Sequence, residues 1–284
     1  MGLKVIEICR STFYYQRNKT VSAETVELIE EIKALFHYHE GRYGYRRIAL
    51  ELKNKGFKIN HKRVKRIMSE LKLYGKHPKT KKRYNSYQGD LNGTCKNLLL
   101  EKVVDTKKNV TYYQRKFTTT QTNQIWSTDV SEFKIAAGKL YLSPILDLHS
   151  RDIISVNIST SPNFEQTMTM LNGALEQYEN LEGLIFQSDQ GWQYQMQQYR
   201  EALQNRGIHQ SMSRKGNCLD NSPMENFFSI LKNEMFFGHE HEFETLEDLQ
   251  LAIETYIEYY NTERISVKLK GLTPVQYRNQ SLLT

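Results

Sequence analysis

Three carboxylates stand in settings that ordinary structural needs do not explain. Asp129 interrupts the strand-like run Ile125–Phe133, where aspartate is disfavoured unless it has a task. Asp189 ends the apolar run Leu184-Ile185-Phe186-Gln187-Ser188, just before Gln190-Gly191. The end of a strand is where α/β sheets present ligand groups. Glu225 lies beside an apolar stripe: Met224, Phe227, Phe228 and Leu231 recur at helical spacing after Asn221-Ser222-Pro223. Thirty-five residues separate Asp189 from Glu225, and Lys232 follows Glu225 by seven, two turns along the same helix face. Taken alone, Glu225 also reads as an exposed first-turn glutamate favoured by the helix dipole. Taken together, two aspartates on neighbouring strands and a glutamate on a packed helix would converge on one or two Mg²⁺ ions, which prefer hard oxygen ligands.

The elements that must position these groups follow the same order. Asp220 or Asn221 is suited to cap the Glu225 helix, and Pro223 suits its first turn. Ile125–Phe133, Lys139–Leu148 and Asp152–Ser159 read as three strands joined by short turns, an antiparallel meander. A helix is predicted from Ser161 to about Tyr178, a fourth strand over Leu184–Ser188, a helix over Gln193–Arg206 and a fifth strand over Ile208–Ser213. A further helix is predicted over Glu247–Tyr260. Asp147 ends the second strand and is assigned to the turn or to supporting the site, not to the three carboxylates.

Charge divides the chain. The net charge is +7, yet residues 41–83 hold sixteen Lys and Arg against two acids, so the remainder is net negative. A basic module joined to an acidic one suggests a DNA-binding arm and a metal-binding core. Glu24–His39 reads as a helix with Val26, Ile29, Ile32, Leu35 and Phe36 on one face; Tyr45–Lys55 follows, then Asn60 caps His61–Leu73. The last of these would bury Val64, Ile67, Met68 and Leu71 and present Lys62, Arg63, Lys65 and Arg66 on its other face. Arg46 and Arg47 on the second helix complete the candidate DNA-binding set. This is a helix-turn-helix-like unit, whose third helix would lie in a major groove with its cations on phosphates. A solvated basic three-helix unit is the plain alternative. The charge run Lys76–Tyr84 reads as a linker or phosphate-tracking segment, and Gln88–Gln124 shows no clear periodicity.

The stretches "NQIWSTDVSEF", "FQSDQGWQY", "DNSPMENFFSILKNE" and "YYNTERISVKLKGLTPVQY" give the chain a resemblance. It resembles DDE transposases with a retroviral-integrase-like catalytic core, specifically the insertion-sequence-three family and its second-reading-frame product. The resemblance runs from about Ser11 to Arg278. It implies an α/β fold, a ribonuclease-H-like integrase core with a mixed five-stranded sheet, which is also the fold of the predicted strand and helix order. The expected organisation is a helix-turn-helix-like module over 1–85, a linker over 86–120, the catalytic core over 121–240 and a helical extension over 241–284. It further implies catalysis by Asp129, Asp189, Glu225 and Lys232. Mg²⁺, with Mn²⁺ as a substitute, would be held by the three carboxylates, Asp129 bridging a metal pair. Strand cleavage would then be followed by attack of a 3′-hydroxyl on a second phosphodiester. Lys232 would approach the DNA beside the metals, Gly191 would let backbone come close to DNA, and Trp192 and Tyr194 fit the core better than base stacking. Expected partners are double-stranded DNA, further copies of the chain on DNA, and an upstream-frame protein joined by frameshifting. Two rivals remain at this point: a catalytically inert DNA-binding regulator, and a ribonuclease-H-like nuclease that cuts without joining.

Other features exclude other classes. No apolar run approaches the roughly 18–20 residues that span a bilayer, and the N-terminus lacks a signal-peptide pattern. Cys9, Cys95 and Cys218 are odd in number and far apart, which favours free thiols in a reducing compartment; the resemblance implies a bacterial cytoplasmic, nucleoid-associated location. His37 and His39, and His239 and His241, lack the partners of a zinc site.

Overall fold

A computed structural model describes residues 9, 11, 14, 22–76, 93–105 and 110–283. Most of the Ser11–Tyr15 cluster, and the basic run beyond Lys76, lie outside them. The chain divides into two compact units, residues 1–76 and 77–284.

In the first unit α1 (Ala23–Tyr38), α2 (Tyr45–Asn54) and α3 (His61–Glu70) pack on one another. The buried face of α1 is Leu28, Ile32 and Leu35, while Val26 is exposed, so the apolar stripe is rotated from the predicted one. Asn60 caps α3 by accepting from the Lys62 N–H, as expected. Val64, Ile67 and Met68 turn inward, which leaves the basic face outward.

The second unit begins with a feature the sequence did not signal. A hairpin of β1 (Leu100–Asp105) and β2 (Val110–Arg115) occupies part of the stretch taken as linker. Val104, Val110, Tyr112 and Tyr113 are all exposed, so the hairpin has no buried face and no hydrophobic alternation to announce it.

The main sheet runs β6 (Ile153–Ser159), β5 (Gly138–Asp147), then β3 (Ile125–Thr128) with β4 (Ser131–Ile135), then β7 (Ile185–Ser188) and β8 (His209–Met212). The predicted strand Ile125–Phe133 is broken in two. Both pieces pair with β5 in one antiparallel register, Trp126 with Asp147 at one end and Ser131 with Leu142 beyond the gap. That register sets Asp129 opposite Pro144, which has no N–H to give the ladder. Val130 donates its N–H to the Asp129 carboxylate instead, at 2.8 Å.

Helices cover both faces. Trp126, Ile145 and Phe186 pack with Met170 and Leu171 of α4 (Phe164–Leu175) and with Tyr199 and Leu203. The predicted helix Gln193–Arg206 is split at Met196, whose backbone is extended, into α5 (Trp192–Gln195) and α6 (Gln197–Gln204). On the other face Phe133, Leu142 and Leu146 meet Met224, Phe227 and Leu231 of α7 (Ser222–Leu231) and Ile253 and Tyr256 of α8 (Leu246–Thr262). A π-helical turn, Lys232–Phe236, follows α7, and α9 (Pro274–Leu282) closes the chain. The meander, the two parallel strands beyond it and the helices on both faces form the ribonuclease-H-like arrangement. Among the described residues no helix is long and apolar enough to cross a membrane.

Candidate active site

β3 and β7 are neighbours and parallel, pairing Ser127 with Gln187. Asp129 and Asp189 each follow that pair by two residues, at the same end of the sheet. Asp129 therefore stands just past a strand, not within one, and the ladder break at Asp129-Val130 frees it from sheet geometry. Asp189 Oδ1 accepts the Gly191 N–H at 2.8 Å. A Cβ at Gly191 would meet that same oxygen at 2.9 Å, so this glycine serves the approach of backbone to Asp189.

The helix of Glu225 is fixed to the same place by neither of the predicted caps. Asn221 makes no cap hydrogen bond. Its amide donates to the Thr128 carbonyl at 3.0 Å, and its Oδ1 accepts from the Ser127 hydroxyl. The start of α7 is thereby held to the last two residues of β3, next to Asp129. Asp220 is buried and faces the other way. It accepts Arg115 Nε at 2.8 Å and Arg214 Nε at 2.8 Å, tying the base of the hairpin to the turn that starts α7. Burial alone would raise the Asp220 carboxyl; the Arg214 and Arg115 hydrogen bonds win and hold it at about 2. Gln187 completes the seam by donating to Ser213 Oγ at 3.1 Å and to the Asp220 carbonyl at 3.3 Å.

Electrostatics mark the same spot. Burial pushes the Asp129 carboxyl well above its ordinary value; the Asp189 carboxylate pushes it further and Glu225 adds to this, while the Val130 N–H and Lys232 oppose. Burial also raises Asp189, against the Gly191 N–H. The Tyr194 phenol, fully buried, is pushed well up by burial and by both aspartates, so it stays protonated beneath them. Lys232 is half-buried. Its Nζ donates to the Glu132 carbonyl at 2.7 Å and lies 4.7 Å from the centre of the Phe133 ring. Burial lowers its pKa, while the charges of Glu132 and Asp129 oppose.

Asp189 and Glu225 both act on Asp129, yet among the described residues no three Asp, Glu, His or Cys side chains are gathered closely enough to hold one ion. Like charges spread, and both aspartates turn Oδ1 to a backbone N–H. The donor set nonetheless fits a hard divalent cation. Oδ2 of Asp129, Oδ2 of Asp189 and both oxygens of Glu225 accept no hydrogen bond from a described residue. Asp147 belongs to the far end of the sheet, opposite Trp126. Its oxygens accept the N–H groups of Asn123, His149 and Ser150, which makes it a turn residue as predicted.

Of the basic candidates, Lys62, Arg63, Lys65, Arg66 and Arg46 are exposed. Arg63 also donates to Thr25 Oγ1 at 3.0 Å, and Lys65 and Arg46 lie over the Tyr45 ring. Arg47 departs from the set. It is half-buried, its guanidinium 4.9 Å from the Tyr43 ring centre and donating to the Arg42 carbonyl at 3.4 Å, so it packs the module. Sequence reasoning missed Arg115, Asp220 as an arginine acceptor, and Gln187. Only Asp220 carried a signal, an aspartate next to a helix start.

Comparison with known proteins agrees with this anatomy. An integrase core domain family matches residues 119–218, a second integrase core domain family matches 225–282, and an HTH-like domain family matches 24–82. A putative transposase InsK for insertion sequence element IS150 of Escherichia coli is 43% identical over 99% of this chain and 93% of its own. An uncharacterized transposase-like protein of Haemophilus influenzae is 52% identical over 79% of this chain and 95% of its own. A solved HTLV-2 integrase catalytic core domain in complex with magnesium is 21% identical, with a TM-score of 0.44 over 56% of this chain and 97% of that one. A helix-turn-helix-like module followed by an integrase core defines a class of DNA-rearranging proteins. The chain belongs to the insertion-sequence transposases with an integrase core domain, DDE-type polynucleotidyl transferases.

Proposed function

We propose that this chain cuts DNA at the ends of an insertion sequence and joins them to a new site, using Asp129, Asp189 and Glu225 as its catalytic carboxylates. The observation that carries the assignment is the parallel pairing of β3 with β7, which brings the two aspartates to one end of the sheet, with α7 pinned to β3 by Asn221. The three carboxylates would hold Mg²⁺, for which Mn²⁺ substitutes. When bound, the metal neutralises phosphate oxygens and favours ionisation of the attacking hydroxyl. The chain's own groups do the rest. The raised carboxyl values of Asp129 and Asp189 mean that these two compete for a proton until a cation takes its place. Lys232, held by Glu132 beside Asp129, sets a positive charge where a scissile phosphate arrives. The exposed cations of α3 bind duplex DNA through its phosphates.

The same reading includes several copies acting together on DNA, a cytoplasmic site at the nucleoid, and synthesis as a fusion with an upstream frame. The test is strand transfer of labelled terminal DNA with Mg²⁺ or Mn²⁺. Joined product supports the reading. Cutting without joining identifies a nuclease, and binding without either identifies an inert regulator.

A further inference from the structure

A cavity of about 60 Å³ lies behind α7, bounded by the end of α8 and the loop that leads to α9. Asp129, Asp189, Glu225 and Lys232 do not line it. Its polar lining consists of Arg151, Arg264, Lys268, Ser266, Asn226 and the Tyr260 phenol. Arg264 is already satisfied: it is buried, with two nitrogens on Glu234 at 2.8 and 2.7 Å.

Arg151 is different. It is half-buried, and among the described residues its guanidinium has no hydrogen-bond acceptor and no ion-pair partner. The nearby carboxylate of Asp147 is occupied by the backbone N–H groups of Asn123, His149 and Ser150 and stands 3.8 Å from Arg278. The Arg151 backbone is left-handed, with φ 65°, a conformation that costs a non-glycine residue energy. A bond from its N–H to the Asp147 carbonyl at 3.0 Å holds it there. Burial lowers the Arg151 pKa, yet an arginine stays charged. Tyr260 and Asp147 offset the desolvated charge only through space, with no hydrogen bond to the guanidinium, and an arriving anion that bonds it directly removes the remaining cost. The Lys268 ammonium, the Ser266 hydroxyl and the Asn226 amide also lack hydrogen-bond partners among the described residues.

We propose that this cavity is a phosphate-binding pocket, taking a phosphate group on Arg151 and Lys268 with Ser266 and Asn226 as further donors. Two cations match the charge of a phosphate dianion. Donors from α7, from the loop before α9 and from the turn after β5 suit a tetrahedral oxyanion better than a planar carboxylate. The group is either inorganic phosphate or the terminal monoester of a DNA strand. The pocket stands independently of the assignment of the catalytic carboxylates.

The test is calorimetric titration of the full chain with inorganic phosphate at fixed ionic strength. The wild type is expected to bind at one saturable site. Arg151→Gln weakens binding by about ten-fold or more, the usual loss for a charged hydrogen bond, and Lys268→Gln weakens it less. Lys96→Gln, an exposed lysine remote from the pocket in sequence, leaves binding unchanged. Lys268 is exposed, so its variant remains informative if Arg151→Gln folds poorly. A second arm compares duplex DNA with and without a 5′-phosphate. A preference for the phosphorylated duplex that Arg151→Gln erases makes the strand terminus the ligand. Phosphate binding without that preference makes it free phosphate. No saturable binding of either form by the wild type, or wild-type affinity in both pocket variants, overturns the proposal.

Discussion

Asp129 and Asp189 leave the sheet side by side, each two residues beyond the paired Ser127 and Gln187 of parallel strands. Two half-buried carboxylates placed so close repel one another, and their desolvation raises both. The fold tolerates an unfavourable pairing at one point, and the surrounding hydrogen bonds from Asn221, Gln187 and Gly191 hold it there.

Asp129→Asn and Asp189→Asn are therefore expected to raise the melting temperature in metal-free buffer. A relief of about 1 kcal/mol corresponds to roughly 2–4 °C in a unit of this size. Cleavage and strand transfer should fall by more than about 100-fold, as when a group that stabilises transition-state charge is removed, with DNA binding retained. Thermal melting and a strand-transfer assay on the same samples check both halves. A variant that melts lower and keeps activity would falsify the assignment.

The pH dependence carries a definite sign. Both aspartates have folded values above the unfolded value of 3.8, so their contribution to stability is full below that value and is lost as pH rises through the folded one. The melting-temperature advantage of Asp129→Asn over wild type should be largest at neutral pH and shrink as pH falls towards 4. An advantage constant across that range would mean that the carboxylates are not strained.

Asp220 has the opposite sign. Its carboxyl is held at about 2, so its stabilisation is present above 3.8 and is lost only as pH falls through about 2. Asp220→Asn should cost about 2 kcal/mol at neutral pH, less than a fully buried pair because both arginines are partly solvated. It should also reduce strand transfer by releasing the start of α7. Denaturant melts at pH 7 measure the first effect, and Arg115→Gln should reproduce part of it.

Lys232→Ala should reduce strand transfer about ten-fold at saturating DNA, with Lys232→Arg restoring part, since charge is kept and shape is not. The alanine variant also loses the bond to the Glu132 carbonyl, so melting is the control. Full activity in the alanine variant would leave Lys232 as a strut between β4 and the π-helical turn.

In the first unit, replacing Lys62, Arg63, Lys65 and Arg66 by alanine should flatten the salt dependence of DNA binding by about 0.9 for each phosphate no longer neutralised. Arg47→Ala should instead lower the melting temperature and leave the salt slope nearly unchanged, because its guanidinium packs on Tyr43. An equal fall in slope for Arg47→Ala would return that residue to the DNA-binding set.

What the sequence disclosed was periodic or chemically odd. The stripe Met224, Phe227, Phe228 and Leu231 is buried as its spacing required, and the succession of strands and helices along the core followed from apolar runs and turns. What it concealed was non-local. The break at Asp129-Val130 falls opposite Pro144 across the ladder, a partner that lies fifteen residues on in the sequence. The hairpin β1–β2 is wet on both faces and leaves no hydrophobic period. Asp220 looked like a cap because its two arginines lie far off in the chain or around a turn. Gly191 pointed to a close approach, but only the folded chain reveals that the approaching atom is an oxygen of Asp189.

The clamp made by Asn221 grips a main-chain carbonyl and a serine hydroxyl of β3, and touches none of the three carboxylates. Architecture and chemistry are thus under separate mutational control. On the proposed assignment, a chain that loses Asp129 or Asp189 loses its reaction without a folding penalty to expose the loss, and its basic first unit would still occupy the DNA that an intact copy must reach.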